Sequence, residues 1–485
     1  MNFVYFFMSQ FRYWLDCLLL RWVPPSLPAM QLGPEGSSQN PTMIQFFTWD
    51  AHHPDISWWE HFEKQVLPLV ALGFTQVWLP PPHKAMVPKG CGYDAYDLWD
   101  LGEFDQKGTV ATRWGTKEEL LRACDAAKQC NLNIIIDAVL NHKLGADRTE
   151  TFRAVRVDPL NRLKDIGSER HVKGWTAFDF PGRLGKVNST LYFDWLEVNV
   201  QASIVACDGI SIILLTGMSL REPMVYFAFH QKDMKVGQNG LTIVIQKYET
   251  IYLHGARGFL NENSLQLLIP YVRAFQGQTS FFDVPLHENF HRASKTGVSY
   301  DLRTILDGSL VKLRPGDAVT FVDNHDTLQQ VGQSLESWVG INFKSQAYAL
   351  ILLRCHGYPC VFYGDLYPND ECYDEDTSRT LKQLLLARKS FAYGPMVDYF
   401  EHRNCIGFVR MGDSDHAGCA VVLSNDPMLD LTACKIRMNV GSHPGTTFRS
   451  FFDGSRTIAI DHDGWGAFPS SVDGVEVWIE NREIK

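Results

Sequence analysis

The sequence lacks any long apolar run. Among its 485 residues, no stretch after the N-terminus approaches the roughly 20 consecutive apolar residues that a membrane-spanning helix needs. The first 30 residues are rich in apolar and aromatic side chains, but Arg12, Asp16 and Arg21 interrupt them, so they contain no clean apolar core of signal-peptide type. We therefore expect residues 1–40 to form a poorly ordered extension. Contact with a membrane surface through its aromatic side chains is the alternative.

The cysteine pattern and the charge also exclude classes of function. Eleven cysteines, an odd number, are scattered from Cys17 to Cys434 without a Cys-x-x-Cys pair, so no zinc site is indicated. This pattern is typical of reduced thiols in a cytoplasmic protein. The net charge of −10 argues against a nucleic-acid partner, because backbone phosphates bind basic surfaces.

The length and the composition favour one large α/β barrel with a smaller appended module. A chain of 485 residues, 45% of them apolar, exceeds one ordinary core. From residue 41 onward the pattern alternates between strand and helix, with a strand at 43–47, a helix at 58–72 and a strand at 74–79. Alternation with short connections requires parallel strands and right-handed crossovers.

Further along the chain the same alternation continues. A helix at 116–130 is indicated by Thr116 and Glu119, which have the spacing of a capping box. It leads into the apolar run that ends near Asp137. Residues 345–355 are predicted to form a helix, and 359–363 a late barrel strand.

After about residue 393 the pattern changes to short alternating apolar segments separated by Gly, Asp and Pro turns. Examples are the segments at 405–409 and 419–423. Such a pattern is typical of an antiparallel β-sandwich. We therefore predict a barrel over residues 41–392 and a C-terminal β domain over residues 393–485.

Two apolar runs, 133–142 and 319–326, end in clusters of acidic, amide and imidazole side chains. The polar members are Asp137, Asn141, His142, Asp323, His325 and Asp326. An apolar run with such an end is typical of a buried parallel strand that delivers catalytic groups to the C-terminal rim of a barrel. Oxygen ligands such as Asn141 can hold calcium, and His and Asp at a rim can bind sugar hydroxyls. Loop-capping residues without chemistry are the alternative.

At these positions the chain resembles the α-amylase family of glycoside hydrolases, most closely its liquefying bacterial type and the intracellular fungal relatives. The matching stretches are QFFTWD at 45–50, GYDAYDLWDLGEF at 92–104, residues 137–147, FDVPL at 282–286 and FVDNHDT at 321–327. The resemblance implies a (β/α)8 TIM barrel, an excursion after the third strand that is truncated here to about 144–195, and a C-terminal antiparallel β-sandwich. It also implies a part in α-1,4-glucan metabolism, with an α-glucan or a malto-oligosaccharide as the partner.

The resemblance assigns roles to five residues. Tyr93 would stack on the sugar at the cleavage subsite, and His142 and His325 would hydrogen-bond its hydroxyl groups. Asp326 would be the third carboxylate, which helps to distort the sugar ring toward the transition state. Asn141 would be a ligand of Ca²⁺, but the acidic later part of the excursion is absent, so metal binding through Asn141 alone would be weak.

The resemblance also implies that two catalytic groups are missing. Retaining glycoside hydrolysis needs a carboxylate nucleophile and a carboxylic acid about 5 to 5.5 Å apart. Alignment of the family's nucleophile strand on Asp208 places Ile213 at the nucleophile's position, and alignment of its general-acid strand on Tyr248 places Lys247 at the acid's position. A lysine can donate a proton but cannot replace the nucleophile. Glu249, two residues beyond Lys247, would need a shift of the backbone to reach the site.

Between about residues 196 and 260 the family pattern fades, and two explanations stay open. Either the chain is a paralogue that lost hydrolysis and kept a cleft of glucan size, or this interval is damaged, as by an unspliced or frame-shifted segment. Apolar runs at 210–215 and 241–245 favour a barrel that still closes. We therefore expect a non-hydrolytic glucan-binding protein. An active endo-α-1,4-glucan hydrolase and an interaction protein with a vestigial cleft are the alternatives.

Overall fold

The computed structural model describes most of the chain between residues 40 and 481. The described residues are 40–139, 143–156, 165–184, 265, 268–269, 279–328, 336–426, 435–441, 445–471 and 474–481, together with the backbone of strands at 204–207, 210–213, 225–230 and 243–247. The extension expected at 1–40 lies outside these ranges except for its last residue, and Asn141 and His142 also lie outside them. No helix in the described ranges combines the length and the apolar character that crossing a membrane requires.

Eight strands close into a barrel in chain order, and the first strand pairs with the eighth. They are Met43–Gln45, Gln76–Leu79, Asn133–Val139, Val225–His230, Ile243–Lys247, Thr279–Phe282, Ala318–Phe321 and Tyr358–Phe362. Seven of them run parallel, whereas the fourth is antiparallel to both of its neighbours. The first, second, seventh and eighth strands are buried at every position, as expected for strands covered on both faces. The predicted barrel class is confirmed.

Helices surround the barrel, and most begin at a residue whose side chain caps the first turn; Gly340, before the helix Ile341–Leu353, makes no such hydrogen bond. In the part of the chain that the structure describes, the helices of more than four residues are Trp58–Leu72, Lys117–Gln129, Val284–Thr296, Ile341–Leu353 and Glu375–Phe391. Short helical turns lie at Leu310–Leu313 and Tyr363–Leu366. The helix predicted at 58–72 is observed with these bounds. The predicted capping box is also confirmed, because the Thr116 side chain accepts from the backbone N–H of Glu119 while the Glu119 side chain accepts from that of Thr116.

The fourth barrel strand differs from the prediction that residues 210–215 help to close the barrel. Ile210–Ile213 pairs antiparallel with Ile204–Cys207 outside the barrel. Val225–His230, with the sequence VYFAFH, takes the fourth position instead. The aromatic residues of this run favour a strand. Antiparallel pairing is slightly more stable per residue than parallel pairing, so the run can pair with both neighbouring strands in the reversed direction and close the barrel. The fifth strand, predicted near 241–245, is observed at Ile243–Lys247.

Among the described residues, three two-stranded sheets accompany the barrel. Lys84–Ala85 pairs with Ala95–Asp97, and Arg148–Ala154 pairs with Arg170–Ala177 within the predicted excursion. The third is the pair at 204–213 described above. All three are antiparallel.

The C-terminal part is an antiparallel β domain. Its larger sheet has six strands in the spatial order Met396–His402, Cys405–Arg410, Cys419–Ser424, Val475–Glu480, Thr447–Ser450 and Thr457–Ala459. A second sheet pairs Lys435–Asn439 with Trp465–Pro469. Buried residues of both sheets, among them Met438, Phe468 and Trp478, form one hydrophobic cluster. The predicted C-terminal sandwich is therefore confirmed in class.

The helix Ile341–Leu353 joins the barrel to the β domain. Ten of its thirteen residues are buried, which is typical of a helix packed on all sides. Gln346 donates to the backbone carbonyl of Ser424 at 3.0 Å, and Arg410 donates to the carbonyl of Leu353 at 3.0 Å. These buried hydrogen bonds satisfy backbone groups at the junction and fix the β domain against the barrel.

Candidate active site

Three nearly parallel aromatic rings stand where the barrel strands end, and we call them the aromatic wall: Trp49, Tyr93 and His325. The ring centroids of Tyr93 and His325 are 5.3 Å apart with an interplanar angle of 2°. Trp49 lies 5.6 Å from Tyr93 at 18° and 6.1 Å from His325 at 16°. Trp49 is half-buried, whereas Tyr93 and His325 are buried. The exposed part of the wall is therefore the Trp49 ring, a flat apolar face that suits a sugar ring.

Asp137 lies near the end of the third barrel strand and is tied to the aromatic wall. The phenol of Tyr93 donates to Oδ2 of Asp137 at 2.8 Å. The aspartate is only 1% exposed. Its pKa is raised to about 8, mainly by burial; hydrogen bonds from Tyr93 and Trp78 oppose the rise, and the charge of Asp326 adds to it. Asp137 is therefore largely protonated near neutral pH.

His325 and Asp326 follow the seventh barrel strand. Nε2 of His325 lies 3.6 Å from Oδ2 of Asp326, and Asp326 keeps 13% of its side chain exposed. Burial lowers the pKa of His325 to about 3, so the imidazole is neutral. Burial raises the pKa of Asp326 to about 7. A neutral imidazole and a carboxyl group that titrates near neutrality thus lie side by side.

Asp323, from the same cluster, faces a different partner. Its Oδ2 lies 3.1 Å from Nζ of the buried Lys344, and its Oδ1 accepts from the Thr327 hydroxyl at 3.0 Å and from the backbone N–H of Val339 at 3.1 Å. Lys344 also pairs with Asp365. Asp323 therefore anchors the loop that carries His325 and Asp326. It does not itself line the mouth of the barrel, the opening at the C-terminal ends of the parallel strands.

Comparisons with known proteins agree with this architecture. The α-amylase of Geobacillus stearothermophilus is 33% identical over 96% of this chain and 90% of its own length. The α-amylase of Bacillus licheniformis is 35% identical over 91% and 94%, and the cytoplasmic α-amylase of Escherichia coli strain K12 is 31% identical over 92% and 100%. The chain belongs to the α-amylase family. No family model matches it.

Solved structures of α-amylases share the fold of this α-amylase-family chain. An α-amylase from Anoxybacillus superposes with a TM-score of 0.51 at 12% identity, covering 92% of this chain and 98% of its own. A variant of α-amylase I from Eisenia fetida in complex with maltohexaose gives a TM-score of 0.51 at 13% identity with the same coverage. At such low identity these likenesses support the barrel and the C-terminal β domain alone.

Of the site residues that the sequence suggested, the structure brings Tyr93, His325 and Asp326 together. Asn141 and His142 lie outside the described residues. Ile213 ends a strand outside the barrel, and Lys247 ends the fifth barrel strand, but their side chains are not among those described. Their assignment to the positions of the nucleophile and the general acid therefore stays a prediction.

The structure adds three residues to which the sequence gave no role. Trp49 completes the aromatic wall, and Gln45 contacts His325 from the first strand. Glu371, after the eighth strand, accepts from the Thr48 hydroxyl and from the backbone N–H of Asp50 at 3.1 Å, so it holds the loop that carries Trp49. Gln45 and Trp49 belong to the QFFTWD stretch that matched the family, whereas Glu371 lies in an acidic loop whose members the sequence does not distinguish.

The carboxylates that the structure describes at the junction of the barrel and the excursion do not fit a calcium site. Asp147 accepts from Lys107 at 2.9 Å, from Tyr96 at 2.8 Å and from two backbone N–H groups. Asp97 pairs with Arg183, and Asp100 accepts from three backbone N–H groups. Within the described ranges no group of three His, Cys, Asp or Glu side chains could hold a metal. The chain's own donors already occupy these carboxylates.

Proposed function

We propose that this chain is an α-amylase-family protein that binds α-1,4-glucans without hydrolysing them. The observation that carries the proposal is the composition of the fourth and fifth barrel strands, Val225–His230 and Ile243–Lys247, which contain no aspartate or glutamate. A retaining glycosidase uses a pair of carboxyl groups that flank the scissile bond. Under the motif alignment Ile213 and Lys247 replace this pair, and without a nucleophile the covalent route is lost.

The ligand class is an α-glucan or a malto-oligosaccharide. The aromatic wall supports this proposal because a flat apolar surface beside polar groups suits the faces and the hydroxyls of pyranose rings. Among the relatives is a glucan 1,4-α-maltohexaosidase of Bacillus sp. strain 707, 33% identical over 95% of this chain. The Eisenia fetida neighbour was solved with maltohexaose. Both names are consistent with a linear glucan of several sugar units.

In this proposal each retained group has a binding role. Trp49 offers its exposed ring face to the sugar, the buried Tyr93 ring packs against Trp49 at the cleavage subsite, and His325 and His142 hydrogen-bond the sugar hydroxyls. Asp326, the third carboxylate of the family, accepts from a hydroxyl when ionised and donates when protonated, because its pKa near 7 leaves both forms populated at neutral pH. Asp137 holds Tyr93 in place through their hydrogen bond at 2.8 Å.

An active endo-α-1,4-glucan hydrolase with a retaining mechanism is the second candidate. It is favoured by Asp326, whose raised pKa suits acid chemistry near neutrality. If residues 196–260 come from an unspliced or frame-shifted segment, the intact protein would be such an enzyme. Sequencing of the transcript across this interval distinguishes the two: an uninterrupted reading frame with these residues supports the paralogue, and a different sequence supports the hydrolase.

Hydrolysis is tested by assaying the purified chain on soluble starch beside the Bacillus licheniformis α-amylase. We expect the chain and its Asp326→Asn variant to release no reducing ends above the blank. Turnover by the chain that Asp326→Asn abolishes would end the non-hydrolytic proposal.

Binding is tested by titrating malto-oligosaccharide while following tryptophan fluorescence, since Trp49 lies in the wall. A saturable change supports the proposal. No binding at millimolar ligand would favour the third hypothesis, an interaction protein with a vestigial cleft.

We further propose that no calcium ion is needed to hold the excursion against the barrel. We also propose that the protein is cytoplasmic. Lys107 and Arg183 neutralise Asp147 and Asp97 at the junction of barrel and excursion, so a cation would have to displace hydrogen-bonded partners. The similarity to a cytoplasmic α-amylase supports the location, and the eight cysteines whose side chains the structure describes are free thiols, which agrees with it. We expect the midpoint of thermal unfolding to be the same in EDTA and in millimolar Ca²⁺. A rise with Ca²⁺ of several degrees would contradict the proposal.

A further inference from the structure

Gln45, at the end of the first barrel strand, contacts the most enclosed side chain of the aromatic wall. Its Nε2 lies 2.9 Å from Nδ1 of His325 and 3.2 Å from the backbone carbonyl oxygen of Phe47. Gln45 is 1% exposed and His325 is fully buried, so bulk water does not compete for these contacts. The glutamine is thus part of a closed hydrogen-bonded unit.

The second contact fixes which way the amide of Gln45 faces. A backbone carbonyl oxygen can only accept, so the Gln45 atom beside the Phe47 carbonyl must be the amide nitrogen and not the oxygen. The flipped amide would set two carbonyl oxygens against each other in a buried place, which is costly. The same nitrogen therefore also faces His325, and it faces it as a donor.

The orientation of the amide decides the tautomer of the imidazole. A nitrogen that accepts a hydrogen bond carries no proton, so Nδ1 of His325 is the bare nitrogen. The ring is enclosed by Phe47, Trp78 and Tyr93 and stays neutral because burial lowers its pKa to about 3. A neutral imidazole holds one proton, which must then lie on Nε2. Nε2 is the nitrogen on the Asp326 side of the ring, 3.6 Å from its Oδ2.

We propose that Gln45 is a positioning residue that locks His325 in the Nε2–H tautomer, so that His325 presents a donor to a sugar hydroxyl beside Asp326. The ligand part of this inference rests on the proposed glucan binding. Gln45 itself does not touch the ligand in this scheme, because it lies behind the ring, on the Nδ1 side.

The tautomer is read directly by long-range ¹⁵N–¹H correlation NMR of the histidine rings at pH 7, with the His325 signals assigned by their loss in His325→Asn. We expect the parent chain to show the proton on Nε2. A parent spectrum with the proton on Nδ1 overturns the inference without any further variant.

Two substitutions of Gln45 test the cause. Gln45→Glu replaces the donor by an acceptor, so we expect the proton to move to Nδ1 and the affinity for maltoheptaose to fall about tenfold, the loss of one hydrogen bond. Gln45→Met removes the lock at similar volume, so we expect a mixture of tautomers and a smaller loss of affinity. An unchanged Nε2–H tautomer in either folded variant overturns the inference.

Gln76→Glu is the matched control. Gln76 is equally buried in the second barrel strand but accepts from Tyr358, far along the strand from the mouth. It should leave both the tautomer and the affinity unchanged, and a loss of affinity equal to that of Gln45→Glu would overturn the specific role.

If the parent shows Nε2–H but binds no glucan, the proposed function fails while the tautomer lock stands. If glucan binds to a parent with Nδ1–H, only the lock fails.

Discussion

The two sides of the barrel mouth differ in what their strands deliver. On one side the ends of the first, third and seventh strands, with the loop that follows the second, bring together Trp49, Tyr93, Asp137, His325 and Asp326. On the other side the fourth and fifth strands close the sheet with residues that include no carboxylate. A barrel closes if apolar runs of strand length pair their backbones, whereas hydrolysis needs particular side chains within fractions of an ångström. Packing and chemistry can therefore be lost separately.

The retained side shows the same separation on a smaller scale. Asp323 and Asp326 are three residues apart, yet the first is an anchor paired with Lys344 and the second lies at the mouth. A substitution at the anchor, Asp323 with Lys344, should lower the free energy of unfolding. A substitution at the mouth, Asp326, should change the affinity for the ligand and the pH dependence of stability. The predictions below use this difference.

The largest expected effect comes from breaking the anchor with Lys344→Met. The substitution leaves the buried Asp323 and Asp365 side by side without their cation, so we expect the free energy of unfolding to fall by about 3–5 kcal/mol. Urea denaturation measures it. Lys312→Met removes an exposed pair with Asp307 and should cost less than about 1 kcal/mol. Equal losses of unfolding free energy in both variants would contradict a stabilising role of the buried pairs between Lys344 and the two aspartates.

The aromatic wall should carry much of the affinity for glucan. We expect Trp49→Ala to weaken maltoheptaose binding about tenfold, because it removes the one ring of the wall with a substantial exposed face. Isothermal titration calorimetry measures the change. Trp175→Ala is the control, since Trp175 is 68% exposed on the excursion hairpin and contributes nothing to the wall. Similar losses in both variants would place the ligand elsewhere.

Asp326→Asn should stabilise the fold at alkaline pH. The pKa of Asp326 is raised to about 7 in the folded chain, so between about pH 4 and 7 the folded state binds a proton that the unfolded state lacks. Stability therefore falls as the pH rises through this window. Asparagine cannot ionise, so we expect a gain of about 1 to 2 kcal/mol at pH 8 and almost none at pH 4.

Asp323→Asn provides the contrast for this pH series. It weakens the pair with Lys344 and should destabilise the fold at pH 8. Urea denaturation across pH measures both variants. If both variants changed the free energy of unfolding in the same direction at pH 8, the proposed difference between the anchor Asp323 and the mouth residue Asp326 would be wrong.

The smallest expected effect is that of restoring the missing pair by Ile213→Asp with Lys247→Glu. Ile213 lies in a strand outside the barrel, so we expect no starch hydrolysis above the blank. Any turnover that depends on both substitutions would show that Ile213 reaches the mouth and that the motif alignment holds there in space.

Much of this architecture follows from the sequence, because local signals decide it. The capping box at Thr116 and the alternating segments after residue 393 each have one physical solution. The fourth strand could not be predicted, because 210–215 and Val225–His230 are both apolar runs of strand length and only tertiary pairing separates them. The role of Asp323 depends on its pairing in space with Lys344 of the helix Ile341–Leu353, which the sequence pattern does not show.

The central claim is that the barrel mouth binds α-1,4-glucan but does not hydrolyse it. Saturation-transfer NMR on maltoheptaose with the purified chain tests both halves in one sample. The account predicts transfer of saturation from the protein to the sugar protons, with constant intensity of the internal anomeric signals over days. Growth of reducing-end signals with the chain, absent with Asp326→Asn, would contradict it.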